Sequence, residues 1–153
     1  MRETLFNWLG QDMTGRRCLD LFAGSGALGM EAASRGAVAV VMVENDRAVF
    51  SALKENVKKL KLDNVALRNE DGLKFASRAN EQFDVIFLDP PFKSDYLDKL
   101  LPLLAKQLLP QGLLYVESGT AFEPGTPWQI YKQGKAGAVH YQLLQYGQNE
   151  VPL

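Results

Sequence analysis

The sequence predicts an α/β fold: a mostly parallel sheet with helices on both faces and an antiparallel hairpin at its C-terminal edge. Three observations lead to it. Short runs that are apolar throughout, rather than alternating, are separated by stretches of helical period, as expected for strands covered on both faces. The runs are closed by polar or glycine-containing segments. Near the end of the chain two strand-like runs follow one another with no helix between them, the pattern of a hairpin.

The first run is Cys18–Phe22, closed by Ala23-Gly24-Ser25-Gly26. The second, Val38–Val43, ends in Glu44-Asn45-Asp46, and the third, Val65–Leu67, is short. Between the second and third runs, Val49, Leu53, Val57 and Leu60 repeat at helical spacing, with charged residues on the opposite face. The fourth run, Val85–Leu88, ends in Asp89-Pro90-Pro91-Phe92. Leu97, Leu100, Leu101, Leu104 and Leu108 then repeat at helical spacing. Pro102 falls inside that pattern and predicts a kink, or two short helices with the proline opening the second. The fifth run is Leu113–Val116, ending in Glu117. Trp128–Tyr131 and Val139–Tyr146 form the expected hairpin around Gly134 and Gly137. Strand–helix alternation implies right-handed crossovers, and ligands bind such sheets beyond the carboxyl ends of the strands. Glu44, Asp71, Asp89 and Glu117 all fall on that rim.

Residues 1–153 read as one domain, since no repeat, low-complexity tract or linker interrupts them. Apolar residues make up 46% and charged residues 23%, an ordinary globular composition that excludes a disordered or fibrous chain. No apolar run approaches the ~20 residues of a membrane span, and the first residues lack the pattern of a signal peptide. With one cysteine, Cys18, there is no internal disulfide framework, and the expectation is the reducing cytoplasm. The net charge of −1 argues mildly against a protein that lives on non-specific phosphate contacts. Cations do cluster, at Arg16 and Arg17 and at Lys54, Lys58, Lys59 and Lys61, the second group reading as a solvated helix face.

Gly24-Ser25-Gly26-Ala27-Leu28-Gly29 is a G-x-G-x-x-G loop between a strand and a helix, with Glu44 at the end of the next strand. Such a loop allows a tight turn and close backbone approach, and the helix start favours an anion. The plain alternative is a structural turn. Two cofactor classes compete for it. A dinucleotide would bring a pyrophosphate, which Asp20, four residues before Gly24, would repel. S-adenosylmethionine brings an ammonium and a sulfonium that an acid can hold, and a carboxylate for the loop amides. Asp20 tips the choice to S-adenosylmethionine, with Glu44 accepting both ribose hydroxyls.

Asp89-Pro90-Pro91-Phe92 is the sharpest signal, beside the alternative of an Asx-type turn stiffened by prolines. An exocyclic base amine is a poor nucleophile because its lone pair is delocalised into the ring. Hydrogen bonds from its N–H groups to the Asp89 carboxylate and the Pro90 carbonyl localise that pair and stabilise the charge growing on nitrogen. Phe92 can stack on the base. This chemistry needs no metal, because a sulfonium already activates its methyl.

Asp20-Leu21-Phe22-Ala23-Gly24-Ser25-Gly26 together with Asp89-Pro90-Pro91-Phe92 resembles the Rossmann-like class I S-adenosylmethionine-dependent amino-methyltransferases. Arg2-Glu3-Thr4-Leu5-Phe6-Asn7-Trp8-Leu9 and Tyr115-Val116-Glu117-Ser118 narrow the resemblance, over essentially the whole chain, to bacterial 16S ribosomal RNA guanine-N2 methyltransferases of the RsmD family. The resemblance implies cofactor contacts at Asp20, Ala23, Gly24, Ser25, Gly26, Glu44, Asn45 and Asp71. It places the base amine at Asp89, Pro90 and Phe92, and implies 16S rRNA of the small subunit, or its assembly intermediate, as partner. The chain is expected to be a monomer. Members of that family usually carry a basic extension before the opening helix, whereas this sequence starts at the helix. A local basic face of Arg2, Arg16, Arg17 and Lys93 near the rim is therefore expected to hold RNA.

Three other readings stand beside this one: a DNA adenine-N6 methyltransferase, for which 153 residues leave no room for a target-recognition insertion; a cofactor-binding assembly factor without essential catalysis; and a nicotinamide redox enzyme. His140 has no acid or cysteine at ligand spacing and is not expected to act. Cys18 reads as a buried small hydrophobe and Trp8 as packing the opening helix onto the sheet. Glu117 either approaches the site or caps the rim.

Overall fold

Each run that is apolar throughout forms a strand. The computed structural model describes residues 2–89, 94–119 and 122–147. In order these form α1 (Arg2–Leu9), β1 (Arg17–Asp20), α2 (Ala27–Ser34), β2 (Ala39–Val43), α3 (Arg47–Lys59), β3 (Val65–Arg68), α4 (Gly72–Arg78), β4 (Phe83–Leu88), α5 (Ser94–Ala105), β5 (Leu108–Ser118), β6 (Trp128–Ala136) and β7 (Val139–Tyr146). The seven-stranded sheet has the order β3-β2-β1-β4-β5-β7-β6. The first five strands of that order are mutually parallel, and β7 runs antiparallel to both β5 and β6. The order reverses at β1 and β4, which makes their carboxyl ends the topological switch point where ligands bind in open α/β sheets.

Two cores cover the two faces. Cys18, Val40, Met42, Val85, Phe87, Tyr115 and Tyr141 meet Leu5 and Phe6 of α1, Ala32 and Ala33 of α2, and Leu53 and Val57 of α3. Leu19, Val41, Ile86, Leu88, Leu114 and Val116 point the other way, onto Phe75 of α4 and Leu97, Leu100, Leu101 and Leu104 of α5. Trp8 stacks on Tyr141 with ring centroids 5.3 Å apart, so it does pack the opening helix onto the sheet. Cys18 is buried, and its thiol is pushed up to about 12, first by burial and then by Asp84.

Several expectations are corrected. Pro102 lies inside one continuous helix rather than dividing two. It is exposed, as is Asp98, whose carbonyl would have received the missing N–H, so water can serve the broken bond. Of the four apolar residues proposed for α3, only Leu53 and Val57 are buried, while Val49 is 37% and Leu60 58% exposed. The hairpin turn is Gly137-Ala138 alone, with Gly137 at φ 61, the first position of a II′-type turn. Gly134 instead belongs to β6, where a Cβ would sit 2.8 Å from the Tyr141 ring. The fifth strand is longer than Leu113–Val116. Its register with β4 jumps between Phe83 and Val85, which accommodates Gln111 at φ 67 as a bulge.

Candidate active site

Side chains alternate along a strand, and this rule assembles the site. Cys18, Val40, Met42, Val85, Phe87 and Tyr115 share the face covered by α1, α2 and α3. One step further in the same phase come Asp20, Glu44, Asp89 and Glu117. Four adjacent parallel strands thus each end in a carboxylate on one face of the rim.

Asp20 is the deepest, at 4% exposure. Its Oδ2 accepts the backbone N–H of Gly29 at 3.0 Å, and among the described residues no cation pairs with it. Burial is the main reason its pKa rises to about 7. The Gly29 N–H opposes that rise, while Asp89, Glu44 and Glu117 add to it. Asp89 is exposed at the rim, and desolvation followed by the charge of Glu117 pushes it up to about 6. A buried acid among like charges, without a partner cation, fits a positively charged ligand. The described carboxylates are not arranged to hold a metal ion.

The glycine loop is built around this row. Gly24 and Gly26 have φ 56 and 82, a left-handed region that glycine enters without steric cost. Ala23 donates to Val43 O at 2.9 Å and Gly26 to Ala23 O at 2.8 Å, while Ser25 is exposed. The third glycine permits close packing of helix on sheet, since a Cβ on Gly29 would lie 2.5 Å from Met42 Cε and 3.1 Å from Asp20 Oδ2.

Glu44 holds the loop from the next strand. Its Oε1 accepts Gly24 N–H at 2.8 Å and its Oε2 accepts Asp46 N–H at 2.9 Å. Each carboxylate oxygen keeps a second lone-pair direction. Asn45 is exposed beside it. Asn69 Nδ2 donates to the carbonyls of Glu44 at 2.8 Å and Asn45 at 3.2 Å. Asp71 stands apart from the row as the N-cap of α4, accepting Lys74 N–H at 3.0 Å. Pro90 and Phe92, with Pro91 and Lys93, lie outside the described residues.

Sequence reasoning missed Asn69 and Tyr115. Asn69 carries no motif, only its place two residues before the Asp71 cap. Tyr115 was legible as apolar strand, whereas its hydroxyl, which donates to Glu117 Oε2 at 2.7 Å, is a rim feature. The expected basic face is also revised. Arg16 precedes β1 and Arg17 opens it, reaching Gln82 O and Glu81, so both lie at the amino ends of the strands, opposite the rim. Arg2 opens α1, whose Phe6 meets Phe87 of β4.

With this geometry in view, the relatives are informative. A family model described as Conserved hypothetical protein 95 matches residues 1–145. Ribosomal RNA small subunit methyltransferase D of Escherichia coli K12 is 40% identical over 152 residues, covering 95% of this chain and 76% of that protein. The chain belongs to the ribosomal RNA small subunit methyltransferase D family. The family likeness extends to structure. A solved Escherichia coli structure, provisionally named a methyltransferase, superposes with a TM-score of 0.88 at 38% identity, covering 95% of this chain and 85% of that one. A conserved hypothetical protein of Streptococcus pyogenes gives a TM-score of 0.86 at 30% identity, with 94% of both chains covered. The Rossmann-like sheet agrees with the expectation drawn from the two motifs, and the family with the one drawn from the opening helix and Tyr115–Ser118.

Proposed function

We propose that this chain transfers a methyl group from S-adenosylmethionine to the exocyclic N2 amine of a guanine in 16S ribosomal RNA. The observation that carries the reading is Asp89, a carboxylate at the switch point, beside a buried Asp20 that has no cation of its own among the described residues. S-adenosylmethionine supplies a methyl group already activated by its sulfonium. Asp20 would hold the cationic part of the cofactor, the Gly24–Gly26 loop its carboxylate, and Glu44 its ribose, with Ala23, Ser25, Asn45 and Asp71 as further contacts.

Asp89 accepts one N–H of the base amine, and the Pro90 carbonyl accepts the other. Both acceptors draw the nitrogen lone pair out of the ring and face the charge that develops as nitrogen attacks. The proton shed after transfer leaves through Asp89 to solvent. Phe92 covers the base face and holds the amine in line. On this reading the enzyme acts as a cytoplasmic monomer on the small subunit or its assembly intermediate, with the guanine presented outside its pair, since a paired guanine uses N2.

Tritium transfer from labelled S-adenosylmethionine to small-subunit particles, 16S RNA, duplex DNA and free guanosine, followed by nucleoside analysis, tests the proposal. N2-methylguanine in the RNA samples alone is expected. Label in DNA as N6-methyladenine would overturn the substrate and leave the amino-methyltransferase chemistry standing.

A further inference from the structure

Glu117 is the one member of the acidic row to which the mechanism above gives no task. It follows Val116, which pairs with Leu88 across the parallel β4–β5 ladder, so Glu117 and Asp89 are neighbours on adjacent strands and the same face. Its effect on Asp89 reflects that proximity. Its carboxylate is also anchored. The hydroxyl of Tyr115 donates to Oε2 at 2.7 Å, and Tyr115 itself is fully buried. That ring meets Phe87 edge-on at 6.4 Å and Tyr141 at 6.4 Å, with Trp8 stacked beyond. A rim cap would not need a buried aromatic stack to fix its side chain. An acceptor aimed at a ligand would, because a bound partner is recognised only by groups already held in place.

We infer that Glu117 selects the base, its carboxylate accepting the N1–H of the guanine whose N2 amine is held at Asp89. This rests on the guanine-N2 reading and deepens it. Three bases carry an exocyclic amine. Beside that amine, adenine and cytosine present a ring nitrogen that accepts hydrogen bonds, and only guanine presents a ring N–H. Two neighbouring acceptor-only carboxylates therefore match guanine's adjacent donors. They set a lone pair against a lone pair for the other two, and this repulsion supplies discrimination as much as the new bond does.

The test uses the full chain and small-subunit particles whose 16S RNA carries either guanine or 2-aminopurine at the position that wild-type enzyme methylates. 2-Aminopurine keeps the N2 amine but has an acceptor at N1. Wild-type kcat/KM should favour guanine by roughly ten- to hundredfold. Glu117→Gln can turn its amide N–H toward N1 and should bring the two substrates to within a few-fold, with S-adenosylmethionine affinity and melting temperature unchanged. Tyr115→Phe keeps the packing and releases the carboxylate, so it should lower kcat/KM on guanine and narrow the preference in part. An unaltered guanine preference in a folded Glu117→Gln protein would overturn the inference while leaving the guanine reading intact. Wild-type label on another base would overturn that reading first, and this inference with it.

Discussion

Glu44 Oε1 accepts the backbone N–H of Gly24 at 2.8 Å, so the acid that closes β2 is also the tether of the glycine loop that follows β1. The same carboxylate takes Asp46 N–H through its other oxygen at 2.9 Å. One side chain therefore fixes the loop, starts α3 and offers its remaining lone pairs to a ligand.

Glu44→Ala should lose both tethers. Hydrogen bonds to a charged group are worth about 1.5–3 kcal/mol, so S-adenosylmethionine affinity should fall at least tenfold by calorimetry. Glu44→Gln should recover little, because its NH2 group must face either Gly24 N–H or Asp46 N–H, donor against donor. A folded Glu44→Gln protein with wild-type affinity would remove the loop-tether account.

Asp20 makes a prediction in pH. Its pKa in the unfolded chain is about 4, and burial raises it to about 7 in the folded protein. Folding thus favours the protonated form, so its contribution to stability is complete below about pH 4 and is lost as pH rises through about 7. Asp20→Asn keeps an oxygen acceptor for Gly29 N–H and has no proton to lose. The melting temperature of the cofactor-free mutant, relative to wild type, should rise between pH 5 and pH 8 by a few degrees. Cofactor affinity should move oppositely, weaker in the mutant at pH 8 and, in wild type, weaker at pH 6 than at pH 8. A mutant-minus-wild-type difference that is flat in pH would mean that Asp20 titrates normally.

Gly29 is a packing requirement rather than a conformational one. A methyl there meets Met42 Cε at 2.5 Å and Asp20 Oδ2 at 3.1 Å, in a fully buried layer. Gly29→Ala should destabilise by about 1–3 kcal/mol, the usual cost of overpacking, measured by urea unfolding. Gly29→Ala with Met42→Ala should cost less than the sum of the two single changes, because the second removes the clash. Simple additivity would show that the contact relaxes freely.

What was legible in the sequence followed from period and punctuation. Strands buried on both faces, such as Ala39–Val43, carry their own signal, and loops like Gly24–Gly29 need particular residues. Positions decided by the third dimension were not legible. Pro102 left open a kink or a division into two helices, because the sequence does not say that its side of the helix faces water, where one helix can continue through it. Arg16 and Arg17 were grouped with the rim because charge density carries no direction along a strand. Of the row of Asp20, Glu44, Asp89 and Glu117, the last three were visible as residues that close the runs, whereas Asp20 read as part of its strand and Asp71, the α4 cap, was grouped with the rim. That they share one face follows only from the parallel register, and that Tyr115 anchors Glu117 follows only from their spacing of two on one strand.

Asp89 carries the last prediction. Under the proposed mechanism it touches only the base amine, so Asp89→Ala should leave S-adenosylmethionine affinity within a few-fold while methyl transfer falls by roughly a hundredfold or more, as when a transition-state hydrogen-bonding partner is removed. Desolvation first, and then the charge of its neighbour Glu117, push its pKa up to about 6, well above the usual carboxylate range. Only the ionised form accepts from the amine with both oxygens and takes up the developing charge. Single-turnover methyl transfer should therefore rise with pH through about 6 and level off above it. Glu117→Gln removes the neighbouring negative charge, so the midpoint of that rise should move to lower pH. Phe92→Leu should slow the step less than Phe92→Ala, since some apolar cover of the base survives. The pH profile separates chemistry from structure: a turn-forming Asp89 would change stability and leave the midpoint untouched. Normal turnover in a folded Asp89→Ala protein would reduce the Asp89–Phe92 segment to a turn and leave the amine without its acceptor.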